Sequence, residues 1–275
     1  MTTAPYTSPI PVRPATLQDA VAAEWTKMRS LRSTMWMLGV MTAVVVGVGL
    51  MLAIAVRSVP DDYAAEEAGR SGAVLELGIV GMLLGTVCVI TLGVLTITSE
   101  YGTGLVRATF TACPSRGRIL AAKSLVFFVV VFAITTAVSA LTGLIQTGLV
   151  QHAGTPTLSH WIRATVGVGL FMALLGLLSL AVGTMLRHSA GAITAMIGLV
   201  LLPFVLVIGL YADSLSGLRS WLVEYSIPAQ LSILYGSDGS GFDGHPSGWD
   251  PLWIMGGLTA AAMAGAYVSL TRRDV

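Results

Sequence analysis

Six stretches of the chain run without a single Asp, Glu, Lys or Arg: residues 33–56, 77–99, 124–162, 164–186, 188–212 and 251–271. A membrane helix needs roughly 20 apolar residues at about 1.5 Å each to cross about 30 Å of hydrocarbon. Each stretch is long enough for one crossing. The third is shortened by Gln151-His152-Ala153-Gly154-Thr155-Pro156, a loop composition. Spans are therefore expected near 34–56, 76–98, 124–150, 164–186, 190–211 and 251–270. Lipid offers no partner to backbone N–H and C=O groups, so apolar stretches of this length predict helices. The expected fold class is an all-α integral membrane protein with six transmembrane helices.

The flanks differ from the spans. Residues 1–15 carry Pro5, Pro9, Pro11 and Pro14 and no apolar core, which predicts a disordered tail rather than a cleavable signal. Residues 16–275 then form one membrane domain. Within it, Leu17, Val21, Trp25, Met28 and Leu31 recur at helical spacing while Asp19, Glu24, Lys27 and Arg29 fall elsewhere. Thr16 with Asp19 three residues on resembles a capping box. This predicts an amphipathic helix over 16–32, lying in the membrane interface before the first span. A helix docked on a soluble partner would have the same pattern.

Composition agrees. Hydrophobic residues make up 55% of the chain and charged ones 11%, against about 25% charged in soluble domains. Mean hydropathy is +0.81. These values exclude a soluble enzyme or a nucleic-acid-binding domain, and a net charge of +1 implies no polyanionic partner. The placement of charge says more than its sum. With both termini cytoplasmic, Arg13, Lys27, Arg29, Arg32, Arg107, Arg116, Arg118, Lys123, Arg187, Arg272 and Arg273 lie inside, eleven of the fifteen basic residues. Only Asp19, Glu24, Glu100 and Asp274 join them. That bias predicts cytoplasmic termini.

No span holds an ionisable group in its middle. Such groups cost about 2.5–3.5 kcal/mol even on lenient scales and usually serve a function, so ion-coupled transport is disfavoured. The polar groups at depth are Thr135, Ser139, Thr142 and Gln146 along one face of the third span, and Thr86 among scattered hydroxyls of the second. They suit helix–helix contact or, alternatively, a weakly polar pathway wall. Gly81-x-x-x-Gly85 and Gly257, Ala261 and Gly265 read as packing seams. The four histidines and the pair Cys88 and Cys113 show no metal-ligand spacing. Gly117 to Ser124 nearly fits a phosphate-binding loop, but Ala122 replaces the second glycine and a span follows directly. No nucleotide site of its own is expected, and the chain is not read as an enzyme.

Residues 99–123 form the largest cytoplasmic element between spans. Leu105 to Ala112 can make two helical turns ended by Pro114, with Arg116, Arg118 and Lys123 anchoring the third span at headgroup level. A short helix between two spans acts as a lever; an ordinary positive loop would need neither Glu100 nor Gly104.

The run Glu100-Tyr101-x-x-Gly104-x-x-Arg107-x-Thr109, followed by Pro114-x-Arg116 and Lys123, resembles the segment after the second span of type-2 ATP-binding-cassette (ABC) export permeases. Glu24-Trp25-Thr26-Lys27-Met28-Arg29-Ser30-Leu31-Arg32-Ser33-Thr34-x-Trp36 is similar to the opening of actinobacterial members. The resemblance implies a permease in a bacterial plasma membrane, paired with a second permease and two copies of an ABC ATPase that carry the ATP and Mg. Residues 105–112 would be its coupling helix, with Glu100, Gly104, Leu105, Arg107, Thr109, Phe110, Pro114 and Arg116 as coupling residues. Trp25, Lys27, Arg29 and Arg32 would mark the interfacial helix. Glu100, a lone acid in a basic segment, is expected to pair with a nearby cation. In the outer segment 212–249, Leu215 to Tyr235 predicts two short helices around Pro228, followed by a glycine-rich loop. Lack of charge in the spans favours an apolar or amphipathic cargo, moved as in drug efflux, self-protection or lipid export. A membrane scaffold that binds a cytoplasmic partner, or a secondary carrier, are the rival readings.

Overall fold

A computed structural model describes residues 16–58, 73–105, 115–150, 155–209, 215–236 and 246–272, and every regular element among them is helical. The chain enters through α1 (Leu17–Ser30) and turns at Leu31 into α2 (Arg32–Arg57). A short α3 (Ala73–Glu76) leads into α4 (Gly78–Thr103), and α5 (Arg116–Leu149) follows. Next, α6 (Leu158–Ile162), a π-helical turn (Arg163–Gly167) and α7 (Val168–Leu186) form one continuous rod. Then come α8 (Ser189–Gly209), α9 (Ser216–Glu224), α10 (Ile227–Tyr235) and α11 (Asp250–Arg272).

Five helices among the described residues are long and apolar enough to cross a membrane: Arg32–Arg57, Val74–Thr103, Arg116–Leu149, Leu158–Leu186 and Asp250–Arg272. The remaining expected span, 190–211, falls on α8. That helix holds Pro203 in its interior, and its apolar part, Ser189–Pro203, is shorter than the other five. Proline removes a helical N–H and crowds the preceding turn.

The rod ending in α7 is the centre of the bundle, packed on α4, α5 and α11. Its core includes Phe171, Met172, Leu175 and Leu180, all fully buried, with Phe127 of α5 and Val89 of α4 against them. Lipid is as apolar as these side chains, so close approach and dispersion must hold such helices together. At the α4–α7 crossing the approach is backbone to backbone. A Cβ added at Gly93 would lie 2.5 Å from the Gly176 carbonyl oxygen, which cannot rotate away. A Cβ at Gly81 would lie 2.8 Å from the Val45 carbonyl oxygen of α2 and one at Gly85 3.1 Å from the Val45 side chain, so this pair is a packing seam. The other expected seam is only partly one. Gly265 abuts Met185, but a Cβ at Gly257 would meet nothing within 4 Å.

The two short helices expected around Pro228 are present, with Pro228 in the first turn of α10 where its missing N–H costs nothing. The Ser226 hydroxyl caps that helix by accepting from the Ala229 amide. Tyr235, at its end, is buried against Gly78, and its hydroxyl lies 3.2 Å from Ser139 Oγ. Ser139 also donates to the Ala164 carbonyl at 2.6 Å, inside the π turn. A π turn breaks the regular i to i−4 ladder, and Ser139 satisfies one of the acceptors within it. The glycine-rich run from Gly236 lies outside the described residues from 237 to 245.

Candidate functional site

Glu24 and Lys27 sit one turn apart on α1, Glu100 lies in the last turn of α4, and Lys123 lies two turns into α5. The three helices bring these four side chains into one cluster. Lys123 Nζ donates to Glu24 Oε2 at 2.6 Å and to Glu100 Oε1 at 2.8 Å. Lys27 Nζ donates to Glu24 Oε1 at 2.8 Å and to the same Glu100 oxygen at 3.1 Å. Two ammonium groups thus face two carboxylates, and the formal charges cancel.

Burial divides the roles. The Lys123 side chain is 2% exposed, those of Glu24 and Glu100 are 8% and 10%, and that of Lys27 is 30%. Lys123 is the centre of the knot and Lys27 its edge. Burial alone would raise the Glu24 carboxyl, but Lys123 and Lys27 outweigh it and hold the group below its ordinary 4.5. Burial would likewise lower the Lys27 ammonium, and hydrogen bonding to Glu24 with the charge of Glu100 lifts it above 10.5 instead.

These shifts give the cluster a pH window. The Glu24 contribution is present above 4.5 and is lost as pH falls through its depressed folded value. The Lys27 contribution is present below 10.5 and is lost as pH rises through its elevated one. A spin label at exposed Ala23, in a background lacking Cys88 and Cys113, should keep one mobility from about pH 6 to about pH 8 and loosen only in acid below 4.5 or in strong base. A mobility step between pH 6 and pH 8 would mean that the ion cluster does not hold α1.

The spans flanking the cluster extend further into the expected segment 99–123 than the bounds 98 and 124 allow. Helix α4 continues through Thr103 and α5 begins at Arg116, so Glu100 and Lys123 stand on helices. Each neutralises the other, and neither needs to reach water. Lys123 is therefore not a headgroup anchor, and the helical geometry of 116–149 removes any phosphate-loop conformation at Gly117 to Ser124. Arg116 is not simply an anchor either, since its guanidinium donates to the Leu270 carbonyl at 2.6 Å and closes the C-terminal end of α11.

Three residues of one motif have three separate tasks. Glu100 enters the ion cluster. Tyr101 faces another way and carries Arg187 over its ring, with Cζ 5.3 Å from the centroid. Gly104 ends α4 in the left-handed conformation, φ 71°, where a side chain costs about 1–2 kcal/mol. Arg187 takes a left-handed φ of 55° without being glycine, ending α7 with a cation at the negative pole of the helix.

The remaining expected residues fall as follows. Leu105 is exposed just beyond Gly104, while Arg107, Thr109, Phe110 and Pro114 lie outside the described residues. Thr16 and Asp19 form the capping box. Trp25, Arg29 and Arg32 are exposed, and α1 buries Glu24 with Met28 of its apolar stripe, while Val21 of that stripe is half-buried. Leu17, Trp25 and Leu31 are left about half exposed. The polar residues of the spans are buried between helices. Thr86, Thr135 and Thr142 donate to Leu83, Val131 and Val138 carbonyls of their own helices. Gln146 is buried beside Gly49 of α2. Glu24, Tyr101, Lys123, Arg187 and Tyr235 carry more of the structure than their sequence context announced.

The class these features define is an all-helical, multi-pass membrane protein whose N-terminal helix is ionically tied to two successive spans. The chain matches the ABC-2 family transporter protein family over residues 20–204 and belongs to that family. Members are the membrane permease component of ABC transporters, distinct from the ATPase with which they associate. No curated protein matches the chain.

Proposed function

We propose that this chain is the membrane half of an ATP-driven exporter, with six spans, both termini in the cytoplasm of a bacterium, and α8 as the fifth span. Two such permeases, identical or paralogous, work with two ABC ATPases that bind the ATP and Mg. Residues 105–112 are the segment that docks on the ATPase, and the cargo is apolar or amphipathic. The observation that carries this reading is the ion cluster at the point where α4 leads into that segment. Any force on residues 105–112 reaches Gly104 and the last turn of α4. Through Glu100 it then acts on α1 and α5 together. A tie of this kind suits a moving part that must keep three helices in step.

The test is purification of the tagged chain from its native membrane in mild detergent, with mass spectrometry of what accompanies it. A stoichiometric ATPase, lost when residues 105–112 are scrambled in a chain that stays monodisperse, is the expected result. Intact chain without an ATPase across several detergents would leave the scaffold reading in its place.

A further inference from the structure

A groove of about 500 Å³ opens beside the ion cluster, between α1, the start of α2 and the last turns of α4. That volume falls in the range of small-molecule sites, about 300–1,000 Å³. The geometry points to a resident aminophospholipid, a phosphate diester bearing a primary ammonium, held in this groove with one acyl chain along its apolar floor. The inference concerns a bound lipid of the adjoining leaflet and stands apart from the exporter reading.

Three features select the ligand. The first is the floor, where Met28, Met37, Leu92, Leu95 and Val126 give an apolar track next to charged groups. Methionine side chains adapt to a flexible chain. The second is the positive mouth. Lys27 is the most exposed charge of the cluster, and α2 begins beside it at Leu31 with no side chain capping its amides. Helix N-termini favour phosphate. The third is negative. Glu100 lines the groove, its side chain is nine-tenths buried, and both of its hydrogen bonds use Oε1. Among the described residues nothing donates to Oε2. The cluster is neutral overall but offers both signs at the groove, which matches a zwitterion whose cation can donate. A choline headgroup has no N–H for Glu100, and a glycerol headgroup has no positive charge. Trp25 and Trp36, 50% and 75% exposed, place this level of the protein at the headgroup belt.

Native mass spectrometry of the whole purified chain, titrated with phosphatidylethanolamine, phosphatidylcholine or phosphatidylglycerol of equal acyl composition, tests this. One phosphatidylethanolamine should be retained about tenfold more tightly than either rival, the size of a charge-assisted hydrogen bond. Leu95→Trp, which fills the floor away from the charges, should abolish that retention. Glu100→Gln should remove the preference over phosphatidylcholine. Equal retention of the three lipids, or Leu95→Trp retaining lipid like the parent, would overturn the site. Displacement by soluble glycerophosphoethanolamine at the same concentration would overturn a membrane lipid as its occupant.

Discussion

Lys123→Ala is expected to destabilise the chain by about 3–5 kcal/mol, the cost of breaking a buried ion pair from one side. The reason lies in what the substitution leaves behind. Glu24 keeps only Lys27 at the cluster's edge, and Glu100 loses its shortest hydrogen bond. Two largely buried carboxylates then share one ammonium, that of Lys27, whose side chain is 30% exposed. The buried ion pair is not in itself a large source of stability, because desolvation consumes most of its attraction. That asymmetry makes a sharp comparison possible. Lys27→Ala, which removes the exposed lysine, should cost much less, since the space it leaves opens to solvent. Lys123→Met combined with Glu24→Gln and Glu100→Gln should recover most of the loss, because the one charge left, Lys27, is at the exposed edge and can turn to water. Unfolding of the purified proteins, followed by tryptophan fluorescence in one detergent, gives the order. A Lys123→Ala chain that unfolds with the parent, or below which Lys27→Ala falls, would show that Lys123 is not the centre of the cluster.

Much of this architecture is legible in the sequence because lipid permits so few solutions. Charge-free runs long enough to cross a bilayer have to be helices, and five of the six expected spans coincide with helices of sufficient length and apolarity. The capping box at Thr16 and the short helices around Pro228 are equally local signals, set by residues three or four apart. Span ends were less legible. A charge looks like the end of a membrane helix, yet α4 carries Glu100 inward and α5 starts before Lys123. Each charge is tolerated there only because a residue 23 positions away cancels it, and spacing on one helix cannot reveal that. A usable signal did exist. Glu24 and Glu100 are two of only four acids assigned to a strongly basic side, and a rare acid at the end of an apolar run needs a partner. Helical spacing places Glu24 only off the apolar stripe of α1. Its burial follows from how α1 lies on α5, leaving Trp25 and Leu31 outward. The apolar stripe of α1 is thereby split, with Met28 and part of Val21 on the protein and Leu17, Trp25 and Leu31 half exposed.

Glu100→Gln is expected to leave the chain folded and associated with its ATPase but to break the link between hydrolysis and movement, on the reading that the chain is an ABC exporter permease. Glutamine still accepts from Lys123 and Lys27, so the geometry survives, while the charge that holds both lysines to α4 is gone. A charge-assisted hydrogen bond contributes about 1.5–3 kcal/mol, and a loss of 1.4 kcal/mol already weakens a link about tenfold. Spin labels at Ala23 on α1 and Gly102 on α4, both exposed, would follow the tie directly. In the parent complex α1 and the base of α4 should keep one separation through the ATP cycle, as parts that move together. In Glu100→Gln the separation should broaden when ATP is added, and cargo-stimulated hydrolysis should fall at least about tenfold while basal hydrolysis persists. Glu100→Asp, which keeps the charge but shortens the reach, should lie between the two. Coupled export and a fixed separation in Glu100→Gln would mean that the cluster only holds the fold together, and that force passes from residues 105–112 to the spans through the backbone at Gly104 and Thr103 alone.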